Sequence, residues 1–401
     1  MLKTGTARES EGKRGTAGRL SAIDGLRALA ALWVVFFHFY AHSGARFPQV
    51  PGLDLFLRSG STAVSLFLVL SGFCLYVPFA GGRTEKFKTR EFFRRRARRL
   101  IPTYYAAMLL PIGLSLLGRT WTGSDALSFS QLGWQVLTHV TFIHTFFPST
   151  HFGLNGSYWS LGLEWHLYLA MPLLIFGVRR FGLPRVVALP ILINVAYAVF
   201  VAILVARSHL APTTLMVSAV LPNQLFGRWA EFALGMVAAE LYVSGTARLW
   251  AKRLTPWIPF GIALSLVVVQ KGDAIGPVAE VFKHIMFGCV FFVLVTLVLA
   301  RENLISRALA WRPLAMLGTM SYSLYLTHEP IVRVLSYRMH IHSPQQRFML
   351  LVGSLPLIIA LAACLFMLVE RHSLTPVRAS ERTGLRLPAF GHLIPAFLVR
   401  R

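Results

Sequence analysis

The 401-residue sequence is poor in acidic residues, in charges overall and in cysteine. Only 16 Asp and Glu stand against 40 Lys and Arg, giving a formal charge of +24, yet charged residues make up just 14% of the chain. An ordinary soluble domain carries roughly 25%. A nucleic-acid binder would set its basic residues on a broad polar surface, and the composition provides none. Cys74, Cys289 and Cys364 all lie in apolar stretches without metal or redox spacing, so no disulfide framework is expected and no compartment can be read from them. With 31 Gly and 21 Pro the chain is neither collagen-like nor mucin-like. A 55% hydrophobic content excludes disorder. No internal repeat is evident, which weighs against an inverted-repeat transporter.

What remains is apolar sequence in long runs. Crossing ~30 Å of hydrocarbon takes roughly 17–25 residues. Ser59–Ala80, Leu100–Gly118, Val186–Ala206, Leu254–Gln270 and Phe348–Val369 qualify, and Ile285–Ala300 is slightly short. Four further runs, 20–42, 157–177, 226–243 and 313–335, are interrupted by ionisable residues. Together they predict an all-α, polytopic membrane protein of about ten spans. With the N-terminus inside, 29 basic residues fall on the inner side and ten on the outer, with Arg27 inside the first span. That alternation places both termini in the cytoplasm. The expected organisation is a basic tail over 1–19, a transmembrane domain over 20–370 and a second basic tail over 371–401. A cleaved leader is not expected, because Asp24 and Arg27 intrude on the first apolar run and no Ala-x-Ala site follows. Residues 130–152 read as an outer interfacial or re-entrant piece.

Ionisable groups at bilayer depth are functional candidates, because each is costly unless it faces the bundle interior. Arg27 and His38 are eleven positions apart, which at about 100° per residue returns to nearly the same helix face ~16 Å further along. A guanidinium that can hold an anion and a titratable base therefore line one interior path. Arg27 could also serve as an interfacial anchor, and His38 as a helix–helix contact. Arg228 and Glu231, three apart, are open to either an intrahelical ion pair or a substrate role. His139, His144 and His151 fit no metal-ligand spacing, and no metal is expected.

The string from Leu20 to Phe39, with Arg27 and His38 separated by ten residues, resembles the first helix of the acyltransferase family 3 membrane proteins. Ser65–Phe73 looks like the second span of that family, and Phe93–Tyr104 is similar to its basic cytoplasmic motif. Trp159, Ser160, Glu164, Tyr168 and Pro172 fall in a matching block, followed by Arg228–Met236 and Ser321–His328. His166 departs from the pattern, since the family more often has a neutral residue there, and its role stays open.

The resemblance implies acyl transfer from a cytosolic acyl-CoA, commonly acetyl-CoA, to a hydroxyl of a glycan or a macrolide-type natural product. It implies a bacterial cytoplasmic membrane location. Acyl-CoA enters as co-substrate, with no bound cofactor, and membrane lipid surrounds the chain. Many relatives carry a further hydrolase-like domain, for which the 371–401 tail is too short, so a stand-alone version is expected. A hydroxyl attacking a thioester needs a general base of near-neutral pKa, and His38 is the candidate. Glu164 is the carboxylate best suited to orient a histidine or take a hydroxyl proton, with Ser160 one turn before it on the same face. Arg27 and some of Arg94–Arg99, chiefly Arg95, Arg98 and Arg99, could hold the donor's phosphates. Most of that run also reads as a positive-inside anchor on anionic lipid. Arg228 and His328 are candidates for contacting the acceptor. The competing class is a proton-coupled transporter or exporter using Arg27, Glu164, Arg228 and His328. Only the enzyme binds or turns over acyl-CoA.

Overall fold

Every regular element among the described residues is helical. The computed structural model describes residues 4–118, 127–208, 214, 216–264, 277–300, 303–339, 341 and 343–374, and no strand occurs among them. Among the described residues, seven helical stretches are long and apolar enough to cross a bilayer: Leu20–Ser43, Pro51–Phe79, Thr89–Leu117, Trp159–Phe181, Leu183–Arg207, Phe282–Ala300 and Leu355–Ser373. The principal helices are α1 (Thr4–Ser43), α2 (Ala63–Tyr76), α3 (Thr89–Leu117), α4 (Phe129–Val140), α5 (Trp159–Phe181) and α6 (Leu183–Ser208). They continue as α7 (Leu225–Val243), α8 (Pro277–Ala300), α9 (Arg312–Thr319), α10 (Ser321–Arg338), α11 (Pro344–Gly353) and α12 (Leu355–Leu365).

Two of the expected runs do not form one continuous helix. The 313–335 run breaks at Met320, between α9 and α10. The 348–369 run breaks at Ser354, whose hydroxyl donates to the Leu351 carbonyl at 2.6 Å. Pro356 then occupies the first turn of α12, the position where a missing N–H costs no helical hydrogen bond. The 226–243 run is a single helix, α7, that carries Arg228, Glu231 and Glu240. The 254–270 run extends into residues outside those described.

Close approach of small residues holds the centre together, as expected where lipid offers no hydrophobic contrast between helices. A Cβ on Gly72 of α2 would lie 2.0 Å from the Phe232 carbonyl of α7, and one on Gly235 would lie 2.1 Å from the Val69 carbonyl. The same close contact joins α1 to α9, where a Cβ on Gly318 would meet the Asp24 carbonyl at 1.9 Å. Helices α1 and α2 run antiparallel, since Arg27 reaches Cys74 while Phe37 packs on Gly60 just before α2.

Pro330 shapes the segment that caps this bundle. It removes the helical donor to the Leu326 carbonyl, which a proline always leaves one turn back. Asn155 Nδ2 takes that carbonyl at 3.0 Å, with the Tyr158 hydroxyl at 3.4 Å. The 154–158 segment, buried at Leu154, Asn155, Ser157 and Tyr158, is thereby laid against α10.

Candidate active site

Polar side chains inside the bundle gather at two levels along α1. The first lies at its Arg27 end. Arg27 pairs with Asp24 at 3.5 Å and donates to the Cys74 sulfur at 3.4 Å. Glu164 of α5 accepts from Ser71 at 3.0 Å and from Tyr168 at 2.5 Å. Arg96 of α3 interacts electrostatically with Glu164 and Tyr168, and Arg99 with Asp24. Glu370, after α12, accepts from the Ser323 hydroxyl at 2.5 Å and its backbone N–H at 3.2 Å. Three guanidiniums and three carboxylates from α1, α3, α5 and the helical turn after α12 are thus drawn together.

Helical spacing divides the basic run of α3. Arg96 and Arg99 share a face with buried Phe92, Leu100 and Thr103, whereas Arg95 and Arg98 are exposed. Arg95 pairs with Glu91 at 3.2 Å on the surface. The Arg96 Nε is buried without a hydrogen-bond partner. In the sequence Arg96 reads only as part of the Arg94–Arg99 run, although the spacing Phe92, Arg96, Leu100 marks it as inward-facing.

The second level is built on His38. Its Nδ1 lies 2.9 Å from the Val34 carbonyl and 3.2 Å from Nε2 of His328, which is fully buried. The two rings meet edge-on with centroids 4.9 Å apart. His328 Nδ1 lies 3.1 Å from the Leu324 carbonyl, and Ser157 Oγ lies 3.4 Å from its Nε2. A carbonyl only accepts, so both histidines carry their proton on Nδ1 when neutral. His38 Nε2 is then a lone pair, and no described residue hydrogen-bonds it. One turn beyond, His42 lies 3.5 Å from Glu329. The carboxylate nearest this level is therefore Glu329. Glu164, the carboxylate singled out from the sequence, sits at the Arg27 level. Ser160 donates to the Ser157 carbonyl at 3.2 Å and lies 2.7 Å from the Tyr325 hydroxyl, so its hydroxyl is engaged within the bundle.

Arg228 forms a third, closed cluster. Its Nε and NH2 reach both oxygens of Glu231 at 2.7 and 3.1 Å, and the pair is buried. Its remaining donors reach Asn223 at 3.0 Å, His284 at 2.9 Å and Ser65 at 3.2 Å. The guanidinium also lies over the Trp159 ring at 5.7 Å. Of the two roles open from the sequence, this geometry is that of the intrahelical ion pair.

Beside the His38 level, His139 and His144 stack with ring centroids 4.1 Å apart, and both are fully buried. Burial pushes the His139 pKa down to about 4 and holds those of His144 and His151 below the usual range. His144 is tied to the Tyr158 carbonyl at 3.0 Å, which links this cap to the segment over α10. His166 stacks on Phe146 at 4.9 Å.

The ordered blocks around Arg27 and His38 thus meet inside one bundle, and a family model described as an acyltransferase domain, family 3, matches residues 20–369. The chain belongs to this family. It is similar to the O-acetyltransferase OatA of Staphylococcus aureus, 24% identical over 332 residues, covering 78% of this chain and 50% of that protein. It is likewise similar to the peptidoglycan O-acetyltransferase OatA of Listeria monocytogenes, 24% identical over 346 residues, covering 80% and 51%. The chain therefore spans about half the length of these relatives. No solved structure matches it.

Proposed function

We propose that this chain is a membrane-embedded O-acyltransferase that moves an acyl group, most simply acetyl, from cytosolic acyl-CoA to a hydroxyl of a glycan. One observation carries the reading: His38 is held through Nδ1 with Nε2 unbonded, on the same helix as Arg27, which stands about three turns away at the level of Arg96 and Arg99. Arg27, Arg96 and Arg99 supply charge-assisted contacts for the donor's phosphates. The extended pantetheine arm bridges the ~16 Å rise between the two levels. At the second level His38 Nε2 takes the proton of the acceptor hydroxyl as its oxygen attacks the thioester carbonyl. The carbon–sulfur bond then breaks, and the leaving CoA thiolate takes the proton from His38, which returns to its neutral form. The imidazolium formed at His38 keeps its Nδ1–H on Val34 and His328, and Glu329 lies close enough to act on its charge.

Ten spans with both termini cytoplasmic, in a bacterial cytoplasmic membrane, fit this division. The 29-to-10 distribution of basic residues supports the Arg27 level lying on the CoA side. The name of the Listeria relative favours a cell-wall glycan as acceptor. Proteoliposomes with the N-terminal side facing out test this arrangement. Radiolabelled acetyl-CoA supplied outside is expected to acetylate saccharide enclosed in the lumen. Label confined to saccharide on the acetyl-CoA side would contradict it.

A further inference from the structure

Among the described residues, one carboxylate oxygen is buried without a hydrogen-bond partner: Glu329 Oε2. The residue is 4% exposed. Its other oxygen lies 3.5 Å from His42, whose side chain is 27% exposed. One turn along α10, the Nε of Arg333 is also buried and unpaired, while its NH2 donates to the Leu154 carbonyl at 3.2 Å. Residues four apart share a helix face, yet no ion pair joins these two. Glu231 shows the contrast, with both of its oxygens on Arg228.

Buried polar groups are ordinarily paired, so an unpaired acceptor and an unpaired donor on one face point to a ligand that supplies both partners. A carboxylate oxygen only accepts and a guanidinium N–H only donates. An anion would be repelled by Glu329 and a cation by Arg333. A hydroxyl does both, donating to one residue while accepting from the other. Resting on the acyltransfer reading for the reaction, we infer that Glu329 and Arg333 form a subsite for neighbouring hydroxyls of a neutral sugar acceptor. The location suits that role, because Glu329 follows His328, which touches His38, and His42 connects the carboxylate to the surface.

The test uses the full chain in nanodiscs, with tritiated neutral oligosaccharides of glucose, galactose and N-acetylglucosamine as probes. Wild type is expected to bind at least one of them. Glu329→Gln and, independently, Arg333→Gln are each expected to weaken that binding tenfold or more. In turnover, the KM for the bound saccharide rises by a similar factor, while the KM for acetyl-CoA moves less than twofold. Arg333→Lys is expected to lose less binding than Arg333→Gln, because it keeps a donor. Saccharide binding that is unchanged in both variants, or that is absent from the wild type, overturns the subsite. A kcat loss with saccharide KM unchanged also overturns it, by assigning Glu329 to His38 instead. If wild type turns over no acetyl-CoA, the acyltransfer reading falls, and the binding arm still decides the subsite.

Discussion

At the scale of single residues, the bundle separates charges that act from charges that hold. Arg228 looked as much like a substrate contact as a structural one in the sequence, because the spacing to Glu231 serves either role. The deciding facts are long-range: His284 and Ser65 come from helices distant in sequence to complete its donors. Removing one partner of such a pair strands a buried charge, at about 3–5 kcal/mol. Arg228→Ala is therefore expected to lower thermal stability in detergent by that amount or to prevent folding, and Arg228→Met with Glu231→Leu is expected to recover most of it. A single variant melting with the wild type would contradict this assignment. The legible part at this scale was Arg27 and His38, whose spacing alone fixed a common face. Arg96 and Glu329 were harder to see, one hidden in a run of arginines and the other read only as an interruption of an apolar segment.

At the scale of elements, the apolar runs announced most of the helices but not the breaks in them. The break at Ser354 depends on local capping that hydropathy does not register. Nor does hydropathy tell that the carbonyl freed by Pro330 binds Asn155, a contact across 171 positions. The cap formed by α4 and the residues to His151 has a property of its own. Its buried histidines bond backbone carbonyls, and no carboxylate lies among their hydrogen-bond partners. His139 binds a proton near pH 6.5 when unfolded but only near pH 4 when folded. The unfolded form gains protons first as pH falls, so stability is intact above pH 6.5 and is lost between 6.5 and 4. At pH 5 the loss from His139 alone is about 2 kcal/mol. Hydrogen exchange over residues 129–151, corrected for intrinsic rates, is expected to show roughly 30-fold weaker protection at pH 5 than at pH 7. His139→Gln should flatten much of that dependence. Equal protection at both pH values would contradict it.

At the scale of the whole molecule, a strongly basic yet mostly apolar chain resolves into helices that carry polar residues at two interior levels. Arg27 and its partners occupy one level, and His38, His42, His328 and Glu329 the other. The all-helical fold and the order of the family's blocks were readable from sequence, because apolar length and helical periodicity are local properties. The sorting of Glu164 to the Arg27 level and Glu329 to the His38 level was not, because it depends on how α5 and α10 pack against α1. The account turns on the claim that His38 takes the proton from the acceptor. The most direct measurement is acetyl transfer from radiolabelled acetyl-CoA by purified, folded His38→Ala. A loss of about 10²–10⁴-fold in kcat, with acetyl-CoA still bound, is the expected result. Transfer at the wild-type rate would contradict it.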